Sequence, residues 1–116
     1  MRYIALIYTN EATDPALDSP ERVVMRTEFG ALTQQMAGAE VLRAGAGLQP
    51  TTTATTVRVR EGKTLTTDGP FAETREQLGG YYLIEAKNLD EAIAIAAQVP
   101  SAKFGSIEVR PVMVYT

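Results

Sequence analysis

Asp68 is the side chain of this sequence best placed to do chemistry. It stands in Thr67-Asp68-Gly69-Pro70-Phe71-Ala72-Glu73-Thr74-Arg75-Glu76, which Gly79-Gly80-Tyr81-Tyr82 follows. A carboxylate sheltered by Phe71 and Tyr82 would have its pKa raised by burial and could serve as a general acid/base. Arg58 or Arg110 could hold a substrate carboxylate with paired hydrogen bonds. Tyr82 would orient the substrate, and Glu73 completes the candidate binding set. Together these residues describe lyase or isomerase chemistry on a small molecule. Each also has a plainer reading. Asp68 could cap the turn that follows it, since Asp readily bonds the backbone of a turn. Arg58, Arg60 and Arg110 could pair with Glu73, Glu76, Glu85 or Glu108 on a solvated face, where such pairs contribute little.

The residues the chain lacks narrow the chemistry further. Its 116 residues include no histidine and no cysteine. Ser-His-Asp and Cys-His catalysis, disulfides and zinc-thiolate sites are therefore excluded. No side chain has an unperturbed pKa between about 5 and 8, so proton transfer would fall to a carboxylate, Tyr or Lys. Such an inventory suits a binding module without chemistry as well as it suits an enzyme. No metal set and no cofactor is expected. Gly62-Lys63-Thr64 resembles the tail of a phosphate loop, but Val57 stands where that pattern needs glycine. Gly45-Ala46-Gly47-Leu48-Gln49-Pro50 fails the dinucleotide fingerprint because Pro50 takes the last glycine position. No spacing of Asp, Asn and Glu matches a calcium loop.

Composition places these residues in one domain, 1–116. Hydrophobic residues make up 45% and charged residues 22%, a globular balance. The net charge of -3 argues against nucleic acid, which attracts a clustered basic face. No apolar run approaches the roughly 20 residues that span a bilayer. The first strand starts at Met1-Arg2-Tyr3, which leaves no room for a signal peptide. A cytoplasmic location is expected.

The elements that must position Asp68 follow from periodicity. Residues 2–9 are apolar on both alternate sets, as in a strand covered on both faces. Residues 10–18 read as a loop. Ser19-Pro20-Glu21 starts a helix that presents Met25, Phe29, Leu32 and Met36 on one face and ends at Gly38. Residues 40–48 read as a strand. Residues 51–60 alternate, with Thr55, Val57 and Val59 on one face and Thr56, Arg58 and Arg60 on the other. Glu61-Gly62 turns them into a strand from Lys63 to Thr67, which Asp68 closes. Gly69 and Pro70 then force a sharp turn. A short helix is expected over 72–77, stopped by Gly79-Gly80. A strand over 81–87 leads to a second helix, capped by Asn88, with Leu89, Ile93, Ile95, Ala96 and Val99 apolar and Pro100 ending it. A last strand spans 106–115, and Pro111 inside it implies an edge or a bulge. Two βαβ-like halves, an antiparallel sheet, an extra hairpin and two helices on one face result. The bare face of such a sheet predicts homodimerisation by sheet packing.

The run from Thr67 to Tyr82, with Glu108-Val109-Arg110-Pro111-Val112, closely resembles the YCII-related, DGPF-domain family. Tyr3-Ile4-Ala5-Leu6-Ile7-Tyr8, Ala54-Thr55-Thr56-Val57-Arg58 and Asp90-Glu91-Ala92 resemble it too, so the likeness covers nearly the whole chain. The resemblance implies a ferredoxin-like α+β fold, βαββαβ, pairing into a dimeric α/β barrel. Relatives on that fold include muconolactone isomerases and dehydrochlorinases. Many family members occur beside sigma factors of the extracytoplasmic-function class, which implies a regulatory partner. The shorter YciI-type members hold a His-Asp pair in a cleft. Asp68 matches the carboxylate, while Glu28 and Phe29 stand nearest the missing histidine and Phe104 replaces a second one. Those departures set His-assisted proton transfer aside. Ligand binding and carboxylate-only acid/base chemistry remain as the two readings.

Overall fold

The computed structural model describes residues 1–115 and is a mixed α+β structure. Its elements run β1 (Arg2–Thr9), α1 (Pro20–Gly38), β2 (Leu42–Gly47), β3 (Thr55–Arg60), β4 (Lys63–Asp68), β5 (Gln77–Glu85), α2 (Leu89–Ala96) and β6 (Ser106–Pro111). Four strands form an antiparallel sheet in the order β2-β5-β1-β6. The central pair joins one βαβ half to the other, an order consistent with a ferredoxin-like fold. The β3–β4 hairpin is inserted between the halves as a separate two-stranded sheet. No helix among the described residues is long and apolar enough to cross a membrane.

Strand alternation decides where the core sits. Tyr3, Ala5 and Ile7 of β1 and Tyr82 and Ile84 of β5 point to one face and are buried. Leu32 and Met36 of α1 and Ala92 and Ala96 of α2 are buried too, and all but Ala96 join that same cluster. Ile84, fully buried at its centre, contributes about 1.5–3 kcal/mol through its side chain alone. The opposite face carries Ile4, Leu6 and Tyr8 of β1 beside Tyr81 and Leu83 of β5, all half-buried.

Helix boundaries follow the expected caps. Ser19 Oγ accepts from the Arg22 N–H at 3.2 Å, and Pro20 begins the helix. Asn88 Oδ1 accepts from the Glu91 N–H at 2.9 Å to start α2. The β3–β4 turn is made by Glu61 and Gly62, both at positive φ, 52° and 76°. A two-residue turn of that kind matches the twist of its strands.

Four local expectations are corrected. No helix forms over 72–77. None of the residues from Pro70 to Glu76 is fully buried, and Phe71 is 78% exposed, so nothing holds so short a helix. Thr74 instead ties down the segment, its carbonyl accepting from Gln77 Nε2 at 2.6 Å. Gly79 and Gly80 are no stop signal but lie inside β5, which begins at Gln77. A Cβ on Gly80 would sit 2.8 Å from the Ala46 carbonyl oxygen, so the glycine lets β2 and β5 close. On α2, Leu89 and Ile93 face solvent, and the buried side is the small-residue pair Ala92 and Ala96 with Val99 beyond it. The last strand stops at Pro111 and is an edge strand, where a missing N–H donor costs no ladder bond.

The molecule is broad and flat, 46 × 46 × 20 Å, with a radius of gyration of 16.1 Å. A compact chain of this length would have about 13 Å. The hairpin accounts for the excess, since every residue of β4 and all of β3 but Thr56 are exposed.

Candidate functional site

A concavity lies between α1 and the β2–β5 edge of the sheet. It is a cleft of about 400 Å³ that continues into a recess of about 350 Å³. Its helical wall carries Arg22, Met25, Arg26, Phe29 and Thr33. These recur every three or four residues and so share one side of α1. The sheet wall is built from Gly45, Ala46, Gly47, Gly79 and Gly80, with Leu48 at its end. Small residues on that wall are what leave the space. A Cβ built on Gly47 meets nothing within 4 Å, and one on Gly79 meets only the Ile7 carbonyl at 3.9 Å. Gly79 is also the extra residue where the β1–β5 register shifts, a bulge that bends the strand at the cleft floor.

Polar groups enter from three directions. The Tyr82 hydroxyl lies 2.9 Å from Thr33 Oγ1, which itself donates to the Phe29 carbonyl at 2.8 Å. Thr33 has one hydroxyl proton, so Tyr82 is the donor in their shared bond and keeps its lone pairs for another partner. Arg22 Nη1 donates to the Pro15 carbonyl at 3.0 Å and Arg26 Nη2 to the Leu17 carbonyl at 3.4 Å. In the recess, Asp14 accepts from Thr9 Oγ1 at 2.6 Å. Glu11 accepts from the Thr51 N–H at 2.9 Å and its hydroxyl at 2.7 Å. Ser101 also lines the recess, 2% exposed, its hydroxyl without a hydrogen-bond partner among the described residues.

The residues singled out from the sequence lie in different places. Tyr82 alone lines the cleft. Asp68 ends β4 opposite Thr55, exposed, and its carboxylate accepts no hydrogen bond among the described residues. The hairpin register places Asp68 on the face of Val57 and Val59, while Arg58 and Arg60 occupy the other face. Phe71 is exposed. Glu73 lines a third hollow, about 480 Å³, with Gly69 and Pro70. Arg110 is on β6, and its guanidinium pairs with Glu108 of the same strand, which holds its pKa above the ordinary value. Within one chain these groups do not converge.

The turn after Asp68 is nonetheless well fixed. Gly69, at φ +97°, donates its N–H to the Ala54 carbonyl at 2.7 Å, and Thr56 Oγ1 donates to the Gly69 carbonyl at 2.8 Å. A side chain at position 69 would be strained. Glycine there serves the closure of the hairpin base.

A family model, the YCII-related domain, matches residues 1–116. The chain belongs to the YCII-related family. An uncharacterized protein of Rhizobium meliloti (strain 1021) is similar to it, 40% identical over 117 residues, which cover 99% of this chain and 94% of that protein. Membership agrees with the mixed α+β architecture and the antiparallel sheet. It leaves the cleft to be read from its own residues, several of which sequence reasoning assigned elsewhere. Met25 and Phe29 belong to the helical stripe expected to be core, yet both are only half-buried. A signal for Arg22 and Arg26 exists in the sequence. Two cations four residues apart on a helix repel each other, and Arg22, in the first turn, also opposes the helix dipole.

Proposed function

We propose that this YCII-related chain is a small-molecule-binding domain whose ligand occupies the cleft between α1 and the β2–β5 edge. The observation that carries this reading is the cleft's construction. The helical wall sets half-buried, apolar Met25 and Phe29 among a few polar side chains, and the sheet wall includes Gly47 and Gly79, where side chains would fit. Concave, largely apolar sites with a few polar groups are where small molecules bind. Gly47→Leu tests it, because that side chain would enter open space on an exposed edge strand. Two-dimensional NMR titration with indole and phenylacetate is expected to shift the amides of Phe29, Gly47 and Gly79 in the wild type. The same titration of a folded Gly47→Leu protein is expected to leave them still. Shifts confined to another surface, or unchanged by the substitution, would remove the reading.

The domain works, in this proposal, as a homodimer paired through the bare sheet face. That face sets apolar Ile4, Leu6 and Leu83 beside Tyr8 and Tyr81, and neither helix covers it. An apolar sheet face is stabilised by packing on a second sheet.

Acid/base chemistry at Asp68 is the second reading. Its motive is the third hollow, which begins one residue beyond Asp68 and gathers two carboxylates, Glu11 and Glu73. A second copy would supply the wall this chain lacks beside Asp68, and Arg58 or Arg110 would reach it only across that interface. Loss of turnover in Asp68→Asn with binding in the cleft retained would support this reading over the first.

A further inference from the structure

We infer that the cleft selects a small monocarboxylate with an apolar body, its carboxylate held by Arg22 and Arg26; this rests on the binding role proposed above. Among the described residues, the charged ones lining the cleft are these two arginines, and no described carboxylate lines it. Neither forms an ion pair with a described residue. The acids nearest them in the recess, Glu11 and Asp14, are already engaged by Thr51 and Thr9.

The arrangement of the arginines is unfavourable without an anion. They sit four residues apart on α1, where like charges repel. Arg22 is in the first turn, at the positive end of the helix dipole. Each donates one hydrogen bond to a loop carbonyl, of Pro15 and Leu17, which aims the guanidinium and leaves its other N–H groups without a partner among the described residues. A carboxylate is planar and can take two parallel N–H donors from a guanidinium, the strongest ordinary match for it.

The rest of the cleft sets the remainder of the ligand. Met25, Phe29 and Leu48 offer apolar contact, and about 400 Å³ is at the small end for such sites. One aromatic ring or a short branched chain fills it. A second anionic group is disfavoured, because the far end opens on Glu11 and Asp14.

The test is an NMR titration with phenylacetate and hexanoate against phenylacetamide and hexanamide, which have the same shape without the charge. The acids are expected to bind at the Phe29 and Gly47 amides about tenfold or more tightly than the amides. Arg26→Met, at an exposed position, and Arg22→Met are expected to erase that difference, weakening the acids far more than the amides. Should Arg22→Met fail to fold, Arg26→Met carries the test. Amides that bind in the cleft as tightly as the acids would overturn the ligand class and leave the binding site standing. A difference that survives in Arg26→Met would overturn the role of the arginines. No shift in the cleft with either series would remove both the ligand class and the site.

Discussion

The Tyr82 hydroxyl and Thr33 Oγ1 are 2.9 Å apart and join the middle of β5 to the middle of α1. This bond spaces the helix from the sheet at the inner end of the cleft, and it fixes the direction of the Tyr82 proton. Tyr82→Phe removes it but leaves Thr33 bonded to the Phe29 carbonyl, so no buried donor is orphaned. The expected loss of stability is about 0.5–1.5 kcal/mol, read by urea denaturation with an unchanged m value. A loss several times larger would mean that the hydroxyl belongs to a wider buried network.

Glu85 gives the folded chain a definite response to acid. The amino-terminal ammonium, 2.8 Å from its Oε2, holds its carboxyl below the ordinary value by hydrogen bonding, with burial opposing and Arg43 and Arg2 adding attraction. A carboxyl depressed on folding contributes stability above its unfolded pKa, and the contribution is lost as pH falls through the depressed folded value. The wild type should therefore lose more stability than Glu85→Gln as pH falls below about 4.5. Parallel pH profiles for the two proteins, or a wild-type profile unaltered by an amino-terminal extension, would contradict this origin.

Asp68 separates chemistry from structure cleanly. Its carboxylate is exposed and takes no hydrogen bond from a described residue, so Asp68→Asn and Asp68→Ala should each change stability by less than about 0.5 kcal/mol. The loss of about 1 kcal/mol that follows removal of a cap is not expected. Thermal melts of the three proteins settle the point, and a marked drop would restore the capping role.

The bare sheet face predicts its own disruption. Leu83 lies on β5 opposite Ile4 of β1, at the middle of that face. Leu83→Lys would place a charge there, disfavouring close packing with a second sheet while leaving the helix-covered core untouched. Sedimentation velocity should show a dimer for the wild type and a monomer for the variant, with equal helical content by circular dichroism. A wild type that sediments as a monomer at micromolar concentration would remove the pairing.

The fold was legible because its elements announce themselves locally. Ser19-Pro20 and Asn88 start helices by chemistry that acts within one turn. Strand β1 alternates Tyr3, Ala5 and Ile7 against Ile4, Leu6 and Tyr8, which displays both the core face and the bare one. The site was less legible for physical reasons. Gly79 and Gly80 carry the same letters whether they stop a helix or thin a strand, and only the approach of Ala46 decides between these. Asp68 and Arg58 belong to the same hairpin, yet strand parity sends them to opposite faces. The role of Arg22 depends on a wall contributed by β2 and β5, distant in sequence and silent about charge.

The hydrogen bond between Gly69 N–H and the Ala54 carbonyl brings the two ends of the hairpin to one point on the body of the protein. The arm is a separate two-stranded sheet, with no ladder bond to the four-stranded one among the described residues. Two-stranded ribbons are barely stable in water by themselves. The expectation is two tiers of cohesion, a durable core and an appendage that opens more readily. Any companion that grips the appendage will register first as slowed exchange between Thr55 and Asp68.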